Sequence, residues 1–376
     1  MNFQAIPELK EKKLVSFEIY FLLKELKLLE GARLQRVYQP SEKDFLLDFH
    51  IPSTGRRYLR IILPNLAFLS QNKPQMPANI MRMCALLRKH LEGAFLTKIA
   101  QVGMERIVQL DFRVKSESYS LFLELFSRGN LILCDSKLNI LGVVEEQEWS
   151  SRRIAPGLKY ELPPKSINPL ELSTESFKSL ASSSDKSVVQ FIATQLSMGG
   201  VYAEEICLRS GIDKNFKAAA LSEDEIENIL TAIKNLFAEK PSPSIIFYSE
   251  KIVDVTPIQL RRYSELRTQT FETFSSAIEN AVSALSNAES PKIQHLNRIV
   301  EEQQKAFADL TKKAELAEKK AAAIYSHYNE IQKVLNFLRE ELHRSSISEA
   351  FDKLQSFKNI KSVNKKERKI TFEFEE

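Results

Sequence analysis

The sequence predicts an α+β fold, and three observations carry that prediction. Short alternating or fully apolar segments punctuated by turn residues fill residues 33–144, a helical pattern with glycine-bearing breaks occupies 187–237, and a heptad repeat runs from 293 to 342. With 376 residues the chain is long enough for two or three compact units, and 43% hydrophobic content is ordinary for a globular protein. The expected divisions are a β-rich lobe over 1–165, a helical module over 166–240, a return to the lobe over 241–285, an arm over 286–345 and a small element over 346–376.

The elements follow from local pattern. Residues 17–29 form an amphipathic helix with Glu18 near its start, and Glu30-Gly31 ends it because glycine serves as a C-terminal cap. Strands are expected at 33–39, 44–50 and 57–62, separated by Gln39-Pro40-Ser41 and Pro52-Ser53-Thr54-Gly55 as in a meander. A helix over 79–92 closes at Gly93 after the basic turn Arg88-Lys89-His90, which suits the negative end of the helix dipole; His90 is read as structural there. Further strands come at 95–102, 107–114, 119–126, 131–135 and 140–144. Between two of them lies Ser127-Arg128-Gly129-Asn130, hairpin chemistry that tolerates positive φ and leaves Arg128 at a tip, free for a phosphate or carboxylate.

Serine and lysine crowd 166–186, which reads as a linker with weak helical pieces. Short helices then flank Met198-Gly199-Gly200 and Ser210-Gly211-Ile212-Asp213, a layout that serves either as a phosphate-facing helix-hairpin-helix turn or as a plain connector. A strand pair at 245–247 and 251–255 leads towards the arm. The arm's heptad seam includes Ile293, Leu296, Val300, Phe307, Leu310, Ile324, Ile331, Leu335 and Leu338. At about 1.5 Å per residue it would be roughly 75 Å long, and a lone heptad helix needs a partner helix to cover its seam.

Composition excludes several classes. No apolar run reaches about 18 residues, so no membrane helix is expected, and Met1-Asn2-Phe3-Gln4 does not begin a signal peptide; a cytoplasmic protein is expected. Cys84, Cys134 and Cys207 are scattered, without metal-ligand spacing, and read as buried thiols. Neither a nucleophilic triad nor a nucleotide-binding glycine loop is present, so no cofactor, no metal and no classical enzyme activity is expected. The net charge of +4 is modest, but basic residues cluster at 56–60, 82–90, 151–153, 261–262 and 365–369.

Leu87-Arg88-Lys89-His90-Leu91, Gln101, Glu105-Arg106-Ile107-Val108, Arg153, Gly157, Tyr160 and Pro163-Pro164, in that order, resemble the NFACT family. The likeness extends from Ser16-Phe17-Glu18 through Ala203-Glu204-Glu205-Ile206-Cys207-Leu208 to the arm. It implies an N-terminal lobe similar to that of formamidopyrimidine-DNA glycosylases, a helix-hairpin-helix-like module and a coiled coil. It also implies a protein that binds the large ribosomal subunit and tRNA and supports mRNA-independent tailing of stalled nascent chains, the ribosome performing the chemistry. The family's tailing residues, an Asp near the start and an Asp-Arg pair, correspond to Glu18, Glu105 and Arg106; both Asp positions are Glu here. Arg88, Lys89 and Arg128 are the next expected phosphate contacts. A salt bridge from Glu18 to Arg106, holding the first helix to the sheet, is the structural alternative. The resemblance further implies a returning helix and an RNA-binding NFACT-R domain after the arm, whereas 362–376 supply one polar stretch and one short strand. The second half is then expected on another polypeptide or in a longer chain, or the arm pairs with its copy. Of the competing readings, glycosylase chemistry lacks its N-terminal proline, since Asn2 stands there, and lacks its zinc finger. An adhesin would need an export signal, and a coiled-coil ribosome scaffold without tailing stays open.

Overall fold

The first helix, α1 (Ser16–Leu26), is apolar on both sides and is buried on both sides. Ile19, Leu22, Leu23 and Leu26 enter a core beneath a β-sheet, while Phe17 and Phe21 enter a second core built by helices. The computed structural model describes residues 9–374 apart from 53–54, 78, 150–151, 164–166 and 288–290. It divides between residues 288 and 289 into two compact units.

In the first unit nine antiparallel strands form one sheet: β1 (Arg33–Ser41), β2 (Asp44–Ile51), β3 (Gly55–Ile62), β4 (Leu66–Ser70), β5 (Phe95–Gln101), β6 (Ile107–Val114), β7 (Glu117–Glu124), β8 (Asn130–Asp135) and β9 (Ile140–Val143). Their spatial order is β4-β3-β2-β1-β5-β6-β7-β8-β9. Two meanders meet where β1 touches β5 through one ladder pair, Arg33 opposite Phe95. Helix α2 (Arg82–Leu91) packs Met83, Cys84, Leu87 and Leu91 onto the same core, starting three residues later than its pattern suggested. Strand β4 was not foreseen, because Pro64-Asn65 interrupts what reads as one apolar run. After a small pair, β10 (Gln147–Glu148) and β11 (Arg153–Ile154), four helices follow: α3 (Thr174–Ser182), α4 (Val188–Gln195), α5 (Gly200–Ser210) and α6 (Glu223–Ala238). The serine-rich stretch read as a linker therefore contains a packed helix. Phe177 and Ala181, four residues apart, are buried on one face of α3, and Ser173 caps it by accepting the Ser176 N–H at 3.2 Å.

Gly199, at φ +79°, enters α5 where a Cβ would lie 2.9 Å from Val15 Cγ1, so glycine is what lets this helix approach the segment before α1. A three-stranded sheet, β12 (Ser244–Tyr248), β13 (Lys251–Thr256) and β14 (Arg267–Thr270), in the order β13-β12-β14, then leads to α7 (Phe274–Asn287). The amino end of α7 is met by the Glu25 carboxylate of α1, which accepts the Ser275 N–H at 3.0 Å.

The second unit contains α8 (Pro291–Ser326), α9 (Tyr328–Arg344), α10 (Ile347–Lys353) and the hairpin β15 (Ile360–Asn364) with β16 (Lys369–Phe372). The expected single arm is thus two helices broken at His327, and the polar stretch from 362 begins in a strand that ends at Asn364 and continues into the hairpin turn. Val334 and Leu338 of α9 pack against Ala350, Phe351 and Leu354, so part of the seam is covered within the unit. Val300, Phe307, Leu310, Ile324 and Leu335 remain exposed and Ile331 is half-buried. The side chains of Ile293 and Leu296 lie outside the described residues.

The turn from β7 to β8 departs from its expected chemistry. Ser127 and Gly129 take positive φ, whereas Asn130 is fully buried and works as a bracket, its Oδ1 accepting the N–H groups of Val144 and Glu145 at 3.2 Å each. A Cβ on Gly129 would stand 2.6 Å from Pro64 Cα. Gly129→Ala should therefore destabilise the protein by about 2 kcal/mol or more, combining backbone strain with overlap, as read by chemical denaturation.

Candidate nucleic-acid interface

The loop joining β5 to β6 carries Glu105 and Arg106 and is pinned to the first turn of α1. Gln101 Nε2 donates to Ser16 O at 3.1 Å and to Glu105 O at 2.9 Å, and Ser16 Oγ donates to Met104 O at 2.5 Å. Met104 plugs the helical core beside Phe17 and Phe21. The backbone carbonyl of Arg106 accepts Leu125 N–H at 2.8 Å, which ties this loop to the end of β7, three residues before Arg128. The Arg106 guanidinium is half-buried and makes no hydrogen bond or ion pair among the described residues. Burial lowers its pKa, opposed through space by Glu105, yet guanidinium stays charged at any physiological pH. An under-solvated cation whose N–H groups are not taken up by a carboxylate suits an anion.

Glu18 does not meet Arg106; the salt bridge considered between them is replaced by another. Glu18 Oε1 accepts from Lys12 Nζ at 2.6 Å and from the Tyr202 hydroxyl at 2.9 Å, and Oε2 accepts the Val15 N–H at 3.0 Å. Lys12 also donates to Asp254 Oδ1 at 3.1 Å, and Asp254 Oδ2 accepts from the Tyr263 hydroxyl at 2.9 Å. All five side chains are buried. Burial opposes the charge of Lys12, but Asp254 and Glu18 outweigh it and push its pKa up to about 12. Burial raises the pKa of Glu18, opposed by Lys12 and reinforced by Asp254. Sequence reasoning missed Lys12, Tyr202, Asp254 and Tyr263 because their distances along the chain, 242 residues for Lys12 and Asp254, leave no local pattern.

The remaining expected contacts are scattered. Arg88 is largely spent inside the fold, its Nε donating to Val37 O at 2.8 Å. Lys89 is exposed and, with Gln39, Lys43, Arg82 and Glu145, lines a cleft of about 950 Å³ between α2 and β9. Arg128, 72% exposed, pairs with Glu145 at 2.6 Å. His90 closes α2 with its ring edge-on to Tyr119 at 5.2 Å. The 151–153 basic cluster is not a free patch, since Arg152 is buried in a two-pronged bond to Glu124 at 2.7 and 3.1 Å, with the Tyr160 hydroxyl also donating to Glu124 at 2.9 Å. All three cysteines are buried, and burial pushes Cys134 up to about 12 and Cys207 up to about 11. Among the described residues no cluster of His, Cys, Asp and Glu could hold a metal ion, and no helix is long and apolar enough to cross a membrane.

Breaking one partner of the buried cluster strands a charge. Lys12→Met should destabilise the fold by about 3–5 kcal/mol, with a smaller loss when Glu18→Gln is added, as measured by denaturation of both single variants and the double.

Comparison with known proteins agrees with this architecture. The chain is 29% identical to the archaeal Rqc2 homolog aRqcH of Methanocaldococcus jannaschii over 356 residues, 88% of this chain and 52% of that protein. It is 30% identical to the Rqc2 homolog RqcH of Bacillus subtilis, over 48% of this chain and 35% of that one. Identity to the human ribosome quality control complex subunit NEMF is 24%, over 68% and 26%. The chain thus spans about half the length, or less, of these relatives. Among solved structures, the N-terminal part of the fibronectin/fibrinogen-binding protein from Streptococcus suis matches with a TM-score of 0.59 at 22% identity, covering 72% of this chain and all of that one, which shows a shared fold. The family model for NFACT N-terminal and middle domains matches residues 16–368, and the chain belongs to the NFACT family.

Proposed function

We propose that this protein is a ribosome-associated quality-control adaptor in the cytoplasm that binds tRNA on an obstructed large ribosomal subunit and supports tailing of the stalled chain by the ribosome's own chemistry. The observation that carries the reading is Arg106: a half-buried guanidinium that makes no hydrogen bond or ion pair among the described residues, at the family's Asp-Arg position, on a loop held against α1. Relatives named as Rqc2, RqcH and NEMF proteins support it. Glu105 beside it offers an acceptor for a ribose hydroxyl or base edge, and Lys89 and Arg128 are surface cations for neighbouring phosphates. Arg88 contributes chiefly by holding α2 to β1.

A partner helix is proposed for α8, where Phe307 is 73% and Leu310 64% exposed. A scaffold role without tailing is favoured by one observation: Glu18, at the family's other acidic position, is sealed inside the fold. Both readings require RNA binding. Fluorescence anisotropy with labelled tRNA across a salt series should show Arg106→Ala binding about tenfold more weakly, with the salt slope reduced by about 1. Equal binding by wild type and variant would sink the assignment.

A further inference from the structure

We infer that Glu18 acts on RNA at one remove, as a positioning residue: its buried cluster with Lys12, Tyr202, Asp254 and Tyr263 fixes the first turn of α1, and that turn fixes the loop that presents Arg106. The inference rests on Arg106 being an RNA contact. No ligand can reach the Glu18 carboxylate, because it is 1% exposed and both oxygens already accept, from Lys12 and Tyr202 on one and from Val15 N–H on the other. Its effect must therefore pass through what it holds.

The mechanical path is continuous. Tyr202 brings α5, Asp254 brings β13, and Tyr263 brings the turn after it; Lys12 joins the two carboxylates from the segment before α1. Two residues before Glu18, Ser16 receives Gln101 and donates to Met104 O, so the same helical turn that the cluster anchors on one side grips the 101–106 loop on the other. Phe17, between them, packs its ring tilted against Tyr202 with ring centres 4.3 Å apart and shares a core with Met104, which leaves the turn little room to tilt independently. A buried pair is a poor source of net stability but a good determinant of register, since only one arrangement satisfies all its lone pairs.

The test is a double-mutant cycle on tRNA affinity, using the full chain and unfractionated labelled tRNA at a temperature where circular dichroism shows every variant folded. Tyr202→Phe is the gentler probe, removing one hydroxyl while keeping the ring; Glu18→Gln is the stronger one. Each should weaken binding several-fold in the wild-type background and have no further effect once Arg106→Ala is present. A residue that acts on binding independently of Arg106 would lower affinity by the same factor in both backgrounds, and a carboxylate that simply repelled phosphate would raise affinity when neutralised. Either result, or unchanged binding by both variants, overturns the inference while leaving Arg106 as a contact. If Arg106→Ala alone leaves binding intact, the RNA reading fails first and this inference with it.

Discussion

A carboxylate withdrawn from water must find donors inside the protein, and the way Glu18 meets that requirement organises much of the first unit. Removing the charge from solvent costs several kcal/mol unless partners compensate it, and here they come from widely separated parts of the chain. Lys12 supplies the opposite charge, Tyr202 a hydroxyl, and the backbone of Val15 the third donor. Because Lys12 must also satisfy Asp254, β13 and the helical group are bound to the same small volume at the start of α1. Two further buried acids follow the same rule: Glu124 is matched by Arg152 and Tyr160, and Glu205 by Arg209 and the N–H groups of Arg261 and Arg262.

Around that point α1 serves two cores at once. Its aliphatic face belongs to the sheet and its aromatic face to the helices, so neither layer closes without it. Glu25, at its other end, receives the first amides of α7. The helix is thus tied by carboxylates at both ends and by apolar packing along both sides, which makes it a rigid reference for the loop that carries Arg106.

Local pattern made part of this legible. The period-two alternation of β6 and β7, and the basic close of α2, could be read directly from residues. What could not be read depended on distant partners. Arg152 and Arg153 look alike in sequence, yet one is sealed against Glu124 and the other exposed, a difference set by a residue 28 positions away. The helix α3 read only as a weak helical piece of a linker because serine dilutes its two packed apolar residues. The heptad seam was visible, but not its interruption at His327, nor that α10 and the following hairpin would cover Leu338. In the proposed interface, Arg106 stands out in sequence through its motif, while the residues that hold its loop against α1 carry none.

The sealing of Lys12, Arg152 and Arg209 with their carboxylates separates two responses to ionic strength. Mobile ions screen charges they can surround, and reach buried pairs only weakly. Salt therefore weakens what exposed cations such as Lys89 and Arg128 attract far more than it weakens the joints inside the fold. On the proposed function the molecule would release a polyanion at a salt concentration that leaves its own architecture intact, so that letting go of RNA and coming apart would be governed by different charges.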